Sequence, residues 1–436
     1  MLRIGCSSKS LLPDFAVCLH GYGSRNYRTD KVEDPVELGC LALDNGRNTV
    51  LLFCIDIIGI SYDVCELLYR ELTAATGIAY PDIYICGSHT HFAPSAERIG
   101  VIVPGGEMSL GVYPRDEKFL AILREQVLAA AREALAGRRP VQAEYTEISL
   151  PGIAFNRRTV KKSDGQVETN YLYPSDPESF HFNRWDDLFS VWRFSDAEGV
   201  AAILGRFGCH PVTGGRLGSD HISGEYPYYF RRSVQELFGC PAFFMLGAAG
   251  DVVPMQRQGE SRRDIGEIMG RSIRMNERCF RPEPEFSLET LKLAVPVTMK
   301  NLLNRQHFLQ EYEEFRLQAQ QQSVMDEEFN HATNIMLGMS CYPTDTLTMP
   351  LQFLRLGSHT LVGLPFECLS LLGEKLKAAC PNIILTSITG GYEGYLPLQE
   401  QFSLGGYEVS GNHFMQNTGD RYLAAAIGKL KELGWD

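Results

Sequence analysis

Short apolar runs rich in β-branched and aromatic residues alternate along this chain with segments whose apolar residues recur at helical spacing. Val50–Ile58 is a run of the first kind, and the pattern after it predicts a helix over Tyr62–Ala75. A second helix is predicted over Asp116–Ala136, where Gly137 and Pro140 end the pattern. Strands and helices that alternate in this way pack in layers, so the sequence predicts an α/β fold with mixed sheets layered with helices.

The same two patterns continue to the end of the chain. Further strands are predicted at Asp82–Cys86, Gln142–Ile148, Phe189–Phe194, Val200–Phe207, Pro241–Leu246, Leu351–Leu356, Thr360–Leu364 and Asn382–Ile388. Further helices are predicted at Glu225–Leu237, Arg262–Arg274, Leu369–Ala379 and Arg421–Leu433. We expect a single domain over residues 1–436, with no internal repeat and with a polar, exposed helical excursion at about 303–335.

Composition excludes several classes of protein. A chain of 436 residues that is 44% hydrophobic can bury a large core, and its net charge of −12 disfavours nucleic acid as a partner. We find no run of about 18 uncharged apolar residues and no secretory signal, so no transmembrane segment and a cytoplasmic location are expected. The twelve cysteines are scattered without a CxxC pair, which is typical of free thiols in a reducing compartment.

Two histidines, His89 and His91, directly follow the predicted strand Asp82–Cys86 in the segment GSHTHFAPS. In extended chain, residues at i and i+2 point the same way, here into the crevice at the end of a strand. Imidazoles placed together there are good metal ligands and good acid–base groups. A pair of this kind is equally compatible with loop histidines that only bind backbone, so the case for a metal depends on other segments.

Three other apolar runs stop abruptly at polar loops. Each loop carries a residue able to bind a metal: His210 after Ala201–Cys209, Asp251 after Phe243–Leu246, and Glu367 after Thr360–Leu364. Asp251 could equally cap a helix or turn, and Glu367 could be a first-turn acid of the following helix. Two histidines and a carboxylate are nevertheless the set with which zinc hydrolases leave a position for water.

Several segments, in order, resemble the N-terminal catalytic domain of the neutral/alkaline ceramidases and their bacterial relatives. They are GYG (21–23) with Asp34-Pro35 and Ala42-Leu43, CIDIIG (54–59), GSHTHFAPS (87–95), FNR (155–157), His210-Pro211 with Ser219-Asp220, GAAGDVVP (247–254), LPFE (364–367), and Gly394-Tyr395 with Tyr407-Glu408. The resemblance covers nearly the whole chain. It implies a ceramidase-like zinc amidohydrolase, which in that family cleaves ceramide to sphingosine and fatty acid.

The resemblance also implies roles for individual residues. The implied zinc ligands are His89, His210, Glu367 and Tyr395, and the implied substrate-contacting residues are His91, Arg157 and Tyr407. Tyr395 comes from the resemblance alone. We expect His91 to carry a proton to the leaving group and Arg157 or Tyr407 to stabilise the oxyanion. Asp56, Asp220 and Asp251 are candidates to orient the imidazoles or to pair with Arg157.

Two departures from the family pattern leave alternatives open. Val253 stands where the family's ceramidases carry a serine, so attack would come from water activated by Zn²⁺. Because the last predicted element is the helix Arg421–Leu433, we also expect no counterpart of the immunoglobulin-like C-terminal domain of full ceramidases. We therefore keep three hypotheses: an amidase acting on an acyl amide, an esterase or deacylase acting on a soluble acylated small molecule, and a catalytically inactive binding homologue. Oligomeric state is not predicted, and similar ligand sets also hold Mn, Fe or Co.

Overall fold

Three mixed sheets form the framework of the computed structural model, which describes residues 1–22, 28–94, 96, 99–100, 112–113, 116–214, 220–258, 260–299, 346–412 and 414–436. The predicted helical excursion at about 303–335 lies outside these residues. The first sheet contains Arg3–Ser10, Glu37–Asp44, Thr49–Ile55, Ile83–Gly87 and the short edge Arg139–Pro140. The second contains Gln142–Ser149, Leu188–Asp196, Gly199–Phe207, Ala242–Leu246 and Arg281–Pro282. The third contains Leu288–Thr298, Thr346–Leu356, His359–Gly363 and Ile383–Thr386.

All three sheets have the same order of connections. In each, three long strands pair antiparallel in succession, and a fourth then pairs parallel with the third. A parallel pair needs a crossover connection, and the three crossovers contain the helices Tyr62–Thr76, Glu225–Phe238 and Ser370–Ala379. The expectation of no internal repeat is therefore wrong at the level of topology. It failed because a fold constrains the pattern of apolar residues more than their identities.

Each sheet buries its outer face under two helices. Besides the crossover helices, these are Glu117–Ala136 on the first sheet, Ser261–Met275 on the second and Thr418–Leu433 on the third. The inner faces of all three sheets meet in one apolar core, to which Tyr84, Trp192 and Leu354 each contribute from a different sheet. This arrangement confirms the predicted α/β class, with mixed sheets layered with helices.

Local sequence explains where the helices begin and end. The Asp116 carboxylate accepts the N–H of Phe119 at 3.2 Å and so caps the helix that begins at Glu117. Gly77 and Gly239 end two other helices in the left-handed conformation that glycine adopts without steric cost. A short helix, Tyr407–Ser410, and 3₁₀ turns at Tyr80–Asp82, Pro177–Ser179, Glu277–Cys279 and Gln399–Leu404 complete the helical elements described. No helix in these ranges is long and apolar enough to cross a membrane.

Two short strand pairs are formed by segments that follow strands of the second and third sheets. Ala154–Asn156 pairs with Val252–Pro254, and Glu367–Cys368 pairs in parallel with Tyr395–Leu396. The remaining short strands form three small sheets: Arg158–Lys161 with Val167–Thr169 and Phe180–His181, Val17–Cys18 with Arg28–Thr29, and Ile99–Gly100 with Val112–Tyr113. The parallel register places Glu367 directly opposite Tyr395, which brings two of the predicted site residues side by side.

Candidate metal centre

Four side chains from the ends of strands in three different sheets meet at one buried point. The ring centroids of His89 and His210 lie 4.8 Å apart. The Glu367 Oε2 atom lies 3.2 Å from His89 Nε2 and 3.0 Å from His210 Nε2. His91 Nε2 lies 3.3 Å from His89 Nε2. Ligands of a tetrahedral ion bound at about 2.1 Å are themselves separated by about 3.4 Å, so these spacings fit a shared ion.

Backbone carbonyls fix the orientation of two of these imidazoles. His89 Nδ1 lies 2.7 Å from the carbonyl oxygen of Ile58, and His210 Nδ1 lies 3.1 Å from that of Val252. A carbonyl oxygen only accepts hydrogen bonds, so both Nδ1 atoms carry the proton and both Nε2 atoms present a lone pair when neutral. Two lone pairs and a carboxylate oxygen therefore face one another, an arrangement that a cation between them would stabilise.

The turn at His89 differs from the extended chain that the sequence predicted. His89 has a φ of 67°, in the left-handed region that costs a non-glycine residue about 1–2 kcal/mol. Its N–H bonds the carbonyl of Ile57 at 2.9 Å, and its ring bonds Ile58, which together offset that cost. The extended backbone expected at His89 is thus wrong. The two rings still point into one crevice, where they meet edge to face with centroids 4.9 Å apart.

Burial and charge set the protonation of the cluster. Burial lowers the pKa of His210 to about 4, so its imidazole is neutral near pH 7 and able to bind a metal. Burial opposes ionisation of Glu367, whereas positive charge on the adjacent His89 or His210 holds its pKa well below the usual range. The other carboxylate oxygen of Glu367 accepts the hydroxyl of Tyr392 at 2.8 Å. Glu367 is therefore a buried carboxylate with both oxygens engaged.

A second layer of side chains surrounds Tyr395. The Arg157 guanidinium donates to the Tyr395 hydroxyl at 3.0 Å and to the carbonyl of Gly250 at 2.9 Å. It is also paired with Glu408 at 2.7 Å. The Tyr407 ring lies 5.5 Å from that of Tyr395 and 5.4 Å from the guanidinium carbon. Arg157, Tyr395 and Tyr407 are thus brought together, and the strand register places Tyr395 beside Glu367.

The three aspartates considered as supports do not act as expected. Asp56 pairs with Arg231, and Asp220, a half-buried residue, pairs with Lys31. The Asp251 carboxylate accepts from the N–H and hydroxyl of Ser370, at the start of the helix Ser370–Ala379. The prediction that these side chains orient imidazoles or pair with Arg157 is therefore wrong, because backbone carbonyls and Glu408 take those roles. The capping alternative for Asp251 is the one that applies.

The loop GAAGDVVP packs tightly against the strand that carries Glu367. A Cβ atom at Gly250 would lie 2.7 Å from the carbonyl oxygen of Glu367, so only glycine allows this approach. Val253 is fully buried in a small apolar cluster with Phe155 and Val212. The side chain at the position of the family's serine therefore belongs to an apolar wall.

Sequence reasoning missed several residues of this region. Tyr392 binds Glu367, and Arg158 shares the Glu408 carboxylate with Arg157, at 2.9 Å from its second oxygen. The doublet Arg157-Arg158 inside an otherwise strand-like segment was a signal for a buried carboxylate partner, because adjacent arginines that are both buried need one. Tyr392 gave no such signal, since its role depends on the loop between Thr386 and Tyr395.

The fold defined by these three sheets and this site is ceramidase-like. It is similar to the crystal structure of neutral ceramidase from Pseudomonas aeruginosa, with a TM-score of 0.72 and 17% identity over 98% of this chain and 73% of that chain. It is also similar to a solved ceramidase complexed with C2, with a TM-score of 0.73 and 16% identity over 99% of this chain and 75% of that one. No protein-family model and no curated protein matches the sequence.

Proposed function

We propose that the chain is a zinc-dependent hydrolase that cleaves an amide (N-acyl) bond. The observation that carries the proposal is the convergence of the Nε2 atoms of His89 and His210 on one Glu367 oxygen, with both Nδ1 atoms turned to backbone carbonyls. The likeness of the fold to the ceramidases supports an acyl amide as the substrate.

His89, His210 and Glu367 would hold the ion, with Tyr395 as the fourth protein ligand. A divalent cation favours the phenolate form of a nearby tyrosine. His91 is the competing fourth ligand, because the candidate ligand atoms of His89, His91 and His210 all lie within 4.8 Å of one another. His91 cannot both bind the ion through Nε2 and carry a proton there, so the choice between His91 and Tyr395 also decides its role in catalysis.

The contacts of the other residues of the site support the roles proposed for them. A bound zinc ion would polarise the scissile carbonyl and activate water as the nucleophile. Arg157 is held by Glu408 and Gly250, so its guanidinium is fixed as a donor beside the place where negative charge develops. Tyr407 lies against that guanidinium and is the second candidate donor. His91, whose Nε2 lies 3.3 Å from that of His89, is the proposed proton donor to the leaving amine.

The aliphatic side chain of Val253 favours the two alternatives, an esterase or deacylase and an inactive binding homologue. Its buried aliphatic side chain supplies neither a nucleophile nor a hydrogen-bond donor. An esterase or deacylase acting on a soluble acylated small molecule needs no serine if metal-activated water attacks. A binding homologue without activity needs no nucleophile at all. Buried free thiols such as Cys54, Cys86 and Cys209 support a reducing compartment, and we propose the cytoplasm as the location.

Metal content and turnover, measured together, test the proposal. The purified chain should contain one equivalent of zinc by elemental analysis and release amine from an N-acyl substrate. His210→Ala should lose both properties, whereas His181→Ala, at an exposed strand residue, should keep both. Full zinc in the His210→Ala protein would refute the ligand assignment.

A matched pair of substrates separates the alternatives. The zinc-loaded protein should be given an octanoyl amide and an octanoyl ester. Their leaving groups, an amine and an alcohol, should have the same carbon skeleton. Amide cleavage supports the amidase, and cleavage of esters alone would replace it with the esterase. Stoichiometric zinc without turnover of either substrate would favour the binding homologue.

A further inference from the structure

Arg257 differs from the other buried arginines of the described part of the chain. The others are ion-paired: Arg157 and Arg158 with Glu408, Arg206 with Asp186, and Arg262 with Glu33 and Asp34. Arg257 is only 9% exposed, and within the described ranges it has no carboxylate partner. Its guanidinium instead donates to three neutral oxygens, the carbonyls of Val212 at 2.9 Å and Tyr171 at 2.8 Å and the hydroxyl of Tyr22 at 3.1 Å.

These three acceptors place Arg257 beside the candidate metal centre. Val212 is two residues after His210. The ring of Tyr22 lies edge to face with His91, with centroids 5.3 Å apart. The ring of Tyr171 packs in the same way on Tyr407 at 5.5 Å. Arg257 therefore lies one side chain away from the histidines on one side and from the Arg157–Tyr407 group on the other.

A buried cation with only neutral acceptors is an unusual arrangement. Removal of a charge from water is costly unless an opposite charge compensates for it. Of the five N–H donors of a guanidinium, the bonds described use three, which leaves two. The planar fork of arginine matches a carboxylate, and such charge-assisted bonds are about twice as strong as neutral ones. Arg257 thus has both the charge and the donors for an anionic group brought by a ligand.

We infer that Arg257 binds a carboxylate of the substrate, a few bonds from the scissile carbonyl. This inference rests on the proposed function for its reaction and names the substrate class as N-acyl amino acids. Arg257 also adjoins the buried apolar cluster of Phe155, Val212 and Val253, because its guanidinium donates to the Val212 carbonyl. Arg257 would then determine specificity, whereas the centre at His89, His210 and Glu367 would carry out the chemistry.

The simpler role for Arg257 is a clamp that only ties three loops together. A clamp and a carboxylate-binding group differ in one measurable property, the preference for an anionic ligand over its neutral isostere. The probes are N-(octylsulfonyl)glycine and N-(octylsulfonyl)glycinamide, whose sulfonamide replaces the scissile amide and resists hydrolysis. Their dissociation constants are measured by calorimetry on the full chain with its metal bound.

We expect the wild-type chain to bind the glycine probe about 10- to 100-fold more tightly than the glycinamide probe, the range for hydrogen bonds to charged groups. Arg257→Gln should remove this preference, and Arg257→Lys, which keeps the charge but not the fork, should retain part of it. Lys31→Gln removes a positive charge at an exposed site and should leave the preference intact.

Three results would overturn the inference. The first two are equal affinity of the wild-type chain for the two probes and binding of neither probe. The third is a preference that survives Arg257→Gln, because the carboxylate would then be held by the metal ion. If the preference depends on Arg257 but N-octanoylglycine is not hydrolysed, the carboxylate site stands and the proposed amidase function fails.

Discussion

At the scale of single residues, the proposed metal centre depends on the direction in which the imidazole lone pairs point. His89, His210 and Glu367 could be identified from the sequence because each follows an apolar run that stops at a polar loop. Such a stop places the next side chains at a sheet edge. Their mutual orientation was not predictable. It depends on the left-handed turn at His89 and on the carbonyls of Ile58 and Val252, which come from other segments.

The choice between Tyr395 and His91 as fourth ligand gives a first prediction. If Tyr395 binds the ion, Tyr395→Phe should weaken zinc affinity by at least about 10- to 100-fold, the range for loss of a residue that only supports a metal ligand. His91→Ala should then leave zinc content near one equivalent and lower kcat. Competition with a zinc-binding dye measures both affinities. The reverse pattern would make His91 the ligand and remove its proposed role as proton carrier.

The Glu408 carboxylate gives a second prediction, about stability. It is fully buried and compensates both Arg157 and Arg158. Glu408→Gln would leave two buried guanidinium groups without a charged partner, and we expect a loss of about 3–5 kcal/mol in the free energy of unfolding. Urea denaturation measures it. Glu432→Gln, at an exposed acid paired with Lys429, should change it by less than about 1 kcal/mol, and a similar small effect at Glu408 would contradict the assignment.

At the scale of elements, the start of the helix Glu225–Phe238 stabilises the loop that follows His210. Glu225 has a φ of 55°, and its carboxylate accepts the N–H groups of Thr213 at 2.9 Å and Gly214 at 2.7 Å. These bonds connect the crossover helix of the second sheet to the loop of the metal centre. Nothing in the sequence indicated them, because they join a helix start to a loop of unknown path.

The titration of Glu225 gives a third prediction. Burial raises its pKa from 4.5 to about 7 in the folded chain. A carboxyl group with a raised pKa stabilises the fold fully below pH 4.5, and this contribution is lost as the pH rises through about 7. Relative to Glu225→Gln, the wild-type free energy of unfolding should therefore fall by roughly 3 kcal/mol across that window. Urea denaturation at several pH values measures the difference.

A control on the same helix sharpens that test. Glu236 is exposed and paired with Arg232, so Glu236→Gln should follow the wild-type curve. A constant difference between the wild-type and Glu225→Gln proteins over this pH range would mean that Glu225 has an ordinary pKa.

Most long elements were predictable, and short ones were not. The helices and strands predicted from periodicity within the described ranges all occur, with ends shifted by a few residues, as at Thr49–Ile55 against the predicted Val50–Ile58. The long strands Arg3–Ser10, Glu37–Asp44 and Leu288–Thr298 were not predicted. The two-residue strands Glu367–Cys368 and Tyr395–Leu396 were not predicted, because two residues show no periodicity. They nevertheless set the register that places Tyr395 beside Glu367.

At the scale of the whole molecule, three sheets of one topology surround a single centre. His89 follows the fourth strand of the first sheet, and His210 and Glu367 follow the third strands of the second and third sheets. The amino-acid sequences of the three sheets differ too much for their shared topology to be recognised from the sequence. Because each sheet contributes a ligand, a bound ion would tie all three together.

Removal of the metal gives a fourth prediction. An ion that binds only the folded chain stabilises it by about 4 kcal/mol when its free concentration is a thousandfold above Kd. A chelator should therefore lower the Tm of the whole chain in calorimetry, and added zinc should restore it. The His210→Ala protein should show the same Tm with and without zinc. A zinc-dependent shift that persists in this variant would place the stabilising ion elsewhere.

The central claim is that residues from three sheets bind one divalent ion. Anomalous diffraction at the zinc absorption edge, on crystals of the zinc-loaded chain, tests it most directly. We predict a single peak at about 2.0–2.2 Å from His89 Nε2, His210 Nε2 and a Glu367 oxygen, the range for nitrogen and oxygen ligands of zinc. A peak bound by other residues, or no peak between these three side chains, would contradict the account.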